Sequence, residues 1–200
     1  MKWICGKGIL QESLAKALGF TERKTTMSIL GHVLILARDE TLVIRATDLH
    51  TSIEVRTPCS VEKPGACSVN AKGFFDVIRE LPNGEITFFT DDHDRAHLHI
   101  ENQKVILNVV DPDEFPSFDL NIPSDGTRLP VEIVKRLIDQ TIFSIPVSAD
   151  TDTKYSLGGA LLVTRQERGK QIVEMVTTDT RRLSIARHVL DEPLDMGDGI

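Results

Sequence analysis

Apolar positions Ile9, Leu10, Leu14, Ala17 and Leu18 recur three and four residues apart, with Lys7, Gln11, Glu12 and Lys16 between them, and predict an amphipathic helix. From His32 to Arg56 the texture shortens to the runs VLILA, LVIRA and SIEV, broken at Arg38-Asp39-Glu40 and Thr47-Asp48, which predicts strands. A second helix follows in AKGFFDVIREL, where Phe74, Phe75, Val77, Ile78 and Leu81 share a face before Pro82-Asn83-Gly84 stops it. Three more strands are expected in EITFFT, AHLHIE and KVILNVV. The segment DPDEFPSFDLNIPSDG, residues 111–126, holds three prolines, a glycine and five acids, the composition of a linker, and a domain boundary is placed there.

Beyond that boundary the pattern begins again. VEIVKRLIDQTIF carries Ile133, Val134, Leu137, Ile138 and Ile142 at helical spacing. Leu30-Gly31 ahead of a strand returns as Leu157-Gly158, 127 positions on, and the strand-closing Thr47-Asp48 returns as Thr178-Asp179, 131 positions on. The four-residue difference fits a longer hairpin at Gln166 to Lys170. An internal duplication accounts for all of these features. The repeated unit is helix, strands, helix, strands; the second copy is expected to hold only its first helix and three strands.

Composition narrows the function. With 40% hydrophobic and 26% charged residues the 200-residue chain has the makings of an ordinary packed core. Its net charge of −7 argues against coating nucleic acid or anionic membrane through bulk positive charge. No apolar run approaches the ~18 residues of a membrane span, and MKWICGKG lacks a signal peptide's apolar stretch, so a cytoplasmic location is expected. The three cysteines, Cys5, Cys59 and Cys67, fit no CxxC spacing and read as reduced and structural.

Several motifs, in order, carry a resemblance. KTTMSILGHVLI, LVIRATDLHTSIEV, VNAKGFFDVIRELP, FPSFD, KYSLGGALL and TTDTRRLSIA together resemble the bacterial sliding clamp family, the beta subunit of DNA polymerase III, over nearly the whole chain. The resemblance implies an α+β fold of repeated clamp domains, each with two helices packed on antiparallel sheets. Residues 1–122 would be domain one and residues 123–200 the first half of domain two, left incomplete, with domain three absent. It implies a head-to-tail homodimer ring that encircles duplex DNA without sequence preference, an accessory subunit and not a catalyst, needing no cofactor and no metal. Its partners would be replicative and other DNA polymerases, the clamp loader, and repair and ligation proteins that dock through short peptides; no membrane is involved.

Carried over residue by residue, the resemblance places DNA contacts on the lining helices and adjoining loops: Lys72 and Arg79, Lys135 and Arg136, the loop pair Arg23-Lys24, and Tyr155. Lys7 and Lys16 share those helix faces, and Glu12, Asp76, Glu80, Glu132 and Asp139 dilute them. Sliding requires only weak, screened attraction to phosphates. The partner-peptide pocket maps to Leu157, Thr178, Thr180, Arg181, Arg182 and Leu183, where arginine stems and leucines can form an apolar slot with a polar rim. Thr180 replaces the family's usual glycine and Arg181 its usual histidine, and Ser156 replaces an aromatic beside Tyr155.

Two readings compete with this one. The cluster Asp91, Asp92, His93, Asp94, His97 and His99 has the residue types of a metal site or hydrolase centre, His97 and His99 being two apart on one strand face. A charged hairpin explains it as well. Residues 6–8, Gly-Lys-Gly, lack the third glycine and the preceding strand of a dinucleotide fingerprint. The other alternative is a truncated, non-ring module; such a chain is expected to be monomeric or to aggregate through unpaired sheet edges.

Overall fold

The computed structural model describes residues 1–21, 27–118, 128–146 and 157–190. Two compact units emerge, Met1–Leu120 and Asn121–Ile200.

The first unit is two copies of a strand–helix–three-strand module. In the first copy, strand β1 (Lys2–Gly6) feeds helix α1 (Lys7–Leu18), followed by β2 (His32–Arg38), β3 (Thr41–Thr47) and β4 (Ser52–Pro58). A short strand, β5 (Ser60–Lys63), leads to the second: β6 (Gly65–Asn70), α2 (Ala71–Glu80), β7 (Glu85–Thr90), β8 (Arg95–Ile100) and β9 (Gln103–Val110). The strands join in one nine-stranded sheet ordered β4-β3-β2-β6-β9-β8-β7-β1-β5, antiparallel at every pairing. The lead-in strand of each module pairs with the first return strand of the other: β6 with β2, Val33 opposite Val69, and β1 with β7, Trp3 opposite Phe88. Helices α1 and α2 pack against each other. The unit therefore has an internal pseudo-two-fold.

The expected helices and strands are present, and three strands come in addition. β1 alternates outward Lys2 and Ile4 with inward Trp3 and Cys5. β5 and β6 flank Pro64, and the Pro64-Gly65 pair interrupts the apolar pattern. The core lies between sheet and helices, where Trp3 stacks on Phe88 with centroids 4.6 Å apart and Phe74 tilts against the same ring at 6.1 Å. Buried Thr57 donates from Oγ1 to Ser13 Oγ at 2.7 Å, tying β4 to α1, and Ser13 in turn donates to the Ile9 carbonyl. Helix α2 starts where the Asn70 side chain accepts from the Gly73 amide at 2.9 Å.

The segment after β9, expected as linker, is packed as far as it is described. Asp111 caps a 3-10 turn at Pro112–Glu114 against β6, Phe115 is buried, and the Arg45 guanidinium sits 5.5 Å over the Phe118 ring.

The second unit repeats the first module. Pro130 precedes α3 (Val131–Thr141) as Gly6 precedes α1, and a three-stranded sheet follows: β10 (Leu161–Glu167), β11 (Lys170–Thr178) and β12 (Leu183–Val189). Its core is Leu137, Val173, Met175 and Ala186, with Thr177 Oγ1 donating to the Thr141 carbonyl at 2.7 Å. The four extra residues foreseen in the β10–β11 hairpin leave its turn alone: β11 has nine residues where β3 has seven, while β10 has seven as β2 does. Both hairpins turn in two residues of positive φ, Asp39-Glu40 in the first unit and Arg168-Gly169 in the second.

Candidate functional site: helix faces and the Thr-Asp turn

The helix faces come first. Lys72 and Arg79 stand exposed on α2, seven residues apart and so on one face, but neither is a free cation. Asp76 lies between them, pairing with Lys72 Nζ and with Arg79 Nη1 at 3.3 Å, while Arg79 Nε also reaches Glu80 at 3.1 Å. On α1, Lys16 pairs with Glu12 at 2.8 Å. Lys7 has a structural task. Its ammonium donates to the carbonyls of Arg79, at 3.0 Å, and Leu81, satisfying orphan acceptors at the C-terminus of α2 where the helix dipole favours a cation. The result is a surface of alternating charge on which Lys16, Lys72 and Arg79 are held by exposed, and therefore weak, ion pairs.

On α3, Lys135 has no ion-pair partner among the described residues. Arg136 turns toward its own sheet, donating from Nη2 to the Arg187 carbonyl at 3.4 Å and lying 2.9 Å from His188 Nδ1. These adjacent residues therefore do not share one face. Arg23, Lys24 and Tyr155 lie outside the described residues.

Five of the six expected pocket positions form one turn, between β11 and β12. Asp179 organises it: Oδ1 accepts from the amides of Arg181, at 3.1 Å, and Arg182, at 2.9 Å, and Oδ2 accepts from Arg182 Nε at 2.8 Å. The Arg182 side chain first, and then the two amides, hold the Asp179 carboxyl down at about 2. Thr178 Oγ1 donates to the Arg182 carbonyl at 2.8 Å and accepts from the Thr180 amide at 3.1 Å. Thr180 is thereby held at φ 72, the left-handed region, which accounts for glycine as the family's habit there. The Arg182 guanidinium lies 6.0 Å from the Phe143 ring centroid, and Leu183 is 61% exposed at the start of β12. Leu157, the sixth position, is half-buried ahead of β10. An exposed leucine beside an arginine held rigid by Asp179 and an aromatic ring can grip a short apolar peptide segment.

The first unit builds the same turn from Thr47, Asp48, Leu49, His50 and Thr51. Thr47 Oγ1 donates to the Thr51 carbonyl at 2.9 Å and accepts from Leu49, Asp48 Oδ1 accepts from His50 and Thr51, and Leu49 stands at φ 71. The duplication thus extends to individual hydrogen bonds. The strand after the turn differs: Ser52, Glu54 and Arg56 face outward in β4, where β12 presents Leu183, Ile185 and Arg187.

The acidic and histidine cluster is built as a hairpin. Asp91 accepts from the amides of His93 and Arg95 and pairs with His97 Nε2 at 2.9 Å, the His97 contact first among the causes that hold its carboxyl at about 2. His97 stacks on Phe89 at 4.8 Å and His99 meets that ring edge-on at 5.1 Å. Among the described residues no three His, Cys, Asp or Glu side chains converge as metal ligands. Gly-Lys-Gly at 6–8 does follow a strand, β1, contrary to the expectation, yet its lysine is committed to α2 and the third glycine is still missing. Cys5, Cys59 and Cys67 are free thiols, and burial pushes Cys5 up to about 11 and Cys67 to about 12. No helix among the described residues is long and apolar enough to cross a membrane.

An α+β unit of paired strand–helix–three-strand modules, followed by a second module with the same turn, defines a class of proteins built by duplicating one helix-on-sheet module. The comparisons agree with it. Residues 1–119 match the family model for the DNA polymerase III beta subunit, N-terminal domain, and the chain belongs to that family. The beta sliding clamp of Salmonella typhimurium is 31% identical over 195 residues, 97% of this chain and 51% of that protein; the one from Bacillus subtilis is 26% identical over 98% of this chain and 52% of that protein. Among solved structures, the Caulobacter crescentus sliding clamp superposes with a TM-score of 0.86 at 27% identity, over 95% of this chain and 51% of that one. A Bartonella birtlesii clamp bound to griselimycin gives 0.87 at 25%, over all of this chain and 53% of that one. The chain spans about half the length of the curated relatives it matches.

Proposed function

We propose that the chain supplies domain one and the first half of domain two of a DNA sliding clamp, a ring that encircles duplex DNA and tethers a polymerase to its template. What carries this reading is the duplicated module itself, seen in the shared Thr-Asp turn and in the match of the whole chain to clamp structures. Attachment is topological, so chemistry is not required of it. Helix faces whose cations are loosely held by Glu12, Asp76 and Glu80 attract phosphates without fixing register, which lets a ring slide. Lys72, Arg79 and Lys135 are the described residues proposed to face DNA; Arg136 takes part only by leaving His188. Arg23, Lys24 and Tyr155 remain proposed contacts on the strength of the family motif. Leu157, Thr178, Thr180, Arg181, Arg182 and Leu183 are proposed to form part of a docking pocket for short peptides of polymerases, loader, and repair and ligation proteins.

The test is made on a polypeptide of the relatives' full length that begins with this chain. Loaded onto nicked circular DNA, it should be retained, and cutting the circle should release it. Equal retention on linear DNA with free ends would overturn the topological reading.

A further inference from the structure

Cys5 and Cys59 come from strands that run side by side. In the register of β1 on β5, Trp3 stands opposite Val61 and Ile4 opposite Ser60; one residue further along, Cys5 stands opposite Cys59, the residue that joins β4 to β5. The alternation of faces agrees. Ser60 is exposed on the side of Ile4, whereas Cys5, 3% exposed, belongs to the core, and half-buried Cys59 and Val61 pack against that core. Cys5 Sγ donates to the carbonyl of Pro58, the residue bonded to Cys59, at 3.8 Å, and the Cys59 amide is anchored on the Glu40 carbonyl at 3.0 Å. The thiols sense each other: burial first, and then the neighbouring Cys59, push the Cys5 thiol up to about 11. Opposed residues of an antiparallel pair stand about 4.5–5.5 Å apart at Cα, within the roughly 4.4–6.8 Å that a disulfide spans. Cys67, on β6, lies opposite Ile35 instead. Every element involved belongs to the first unit.

We propose that Cys5 and Cys59 are a redox-modification site: exposed to a low-molecular-weight disulfide such as oxidised glutathione, they close an intramolecular disulfide that bolts β1 to the β4–β5 junction. Cys59, the more exposed, reacts first. Its thiolate attacks one sulfur of the reagent, whose S–S bond breaks and whose other half leaves as a thiolate. The Cys5 thiolate then attacks the Cys59 sulfur, forming the Cys5–Cys59 bond and expelling the second half. Two protons leave the protein thiols and two are taken up by the released thiolates, so the reagent is reduced to two thiols as one protein disulfide forms. Burial raises both thiols, which makes the reaction slow near neutrality and faster as pH rises, the thiolate being the nucleophile. The bond closes the loop from residue 5 to residue 59, which holds α1 and the strands of the first module, and it restricts the unfolded chain accordingly. Excess small thiol reverses it.

The experiment treats the native 200-residue chain with oxidised glutathione at mildly alkaline pH, blocks the remaining thiols after unfolding without reductant, and maps the peptides by mass spectrometry. The chain should lose two hydrogens and keep one free thiol, at Cys67, in place of three, with a Cys5–Cys59 linked peptide that dithiothreitol dissolves. Cys5→Ser should stop at a mixed disulfide of glutathione on Cys59. The urea midpoint of the oxidised parent should rise above that of the reduced parent, and the same treatment should leave the midpoint of Cys59→Ser unmoved. If either serine variant fails to fold, the linked peptide of the parent decides alone. Three free thiols after native oxidation overturn the proposal. So do a bond to Cys67, a Cys59–glutathione adduct that Cys5 never resolves in the parent, and links found only between chains.

Discussion

Thr180 is a β-branched residue held at φ 72 by two hydrogen bonds that its own side chain does not make. The left-handed region costs a non-glycine residue about 1–2 kcal/mol, with β-branched side chains the worst placed. Glycine there removes that strain and gives back about 0.5–1 kcal/mol in unfolded-state entropy. Thr180→Gly should therefore stabilise the second unit by about 0.5–1 kcal/mol. At the ~4–8 °C per kcal/mol typical of domains this small, its melting transition should rise by roughly 4 °C. The Thr180 side chain is exposed and its amide survives the change, so no contact is lost to offset the gain. Scanning calorimetry gives the shift, and amide exchange on β11 and β12 assigns it to this unit. Thr180→Asn, which tolerates the conformation, should fall between threonine and glycine. A Thr180→Gly protein that melts lower than the parent would refute the reasoning, as would Thr180→Asn melting above the glycine variant.

Other outcomes follow from the same geometry. Lys7→Met should cost about 1 kcal/mol, read as a lower urea midpoint, because two carbonyls at the end of α2 lose their cation. The Asp179 carboxyl should titrate near 2 by NMR, and Arg182→Gln should move it back toward its ordinary 3.8. Since the folded value is depressed, whatever stability this carboxylate adds is present above about 3.8 and lost as pH falls through 2. Asp76→Asn in the full-length polypeptide should free Lys72 for a phosphate while Arg79 keeps Glu80, strengthening the proposed DNA binding and steepening its salt dependence by about one ion. Thiol reagents should label half-buried Cys59 well before Cys5 or Cys67, measured by peptide mapping of the native protein.

Periodicity and repetition made much of this architecture legible. The helices over 7–18, 71–80 and 131–141 follow a 3.6-residue apolar stripe, and the two Thr-Asp dipeptides mark equivalent turns. Strand β1 escaped because five residues ending in glycine carry too little pattern, though Trp3 is central to the core. β5 and β6 escaped because Pro64-Gly65 reads as a loop. Phe115 hid in a segment whose prolines and acids outweigh one buried ring. At the site, local sequence showed which residues share a turn but not what they are tied to. Nothing near Lys7 announces that its ammonium belongs to a helix seventy residues on, and nothing near Arg136 points to His188. Such commitments are tertiary, and they decide which of the proposed DNA contacts are left with a free cation.

The pairing of β1 with β7 has a consequence for synthesis. Trp3 leaves the ribosome first but finds its partner only when Phe88 follows, so at about 5–20 residues per second the chain's bulkiest apolar ring waits some seconds without a shelter. The last of these ties is the terminal ammonium itself, which donates to Thr90 Oγ1 at 2.7 Å. A retained formyl group or an amino-terminal fusion replaces that charged donor with an amide, at the point where the two halves of the first unit are stitched together.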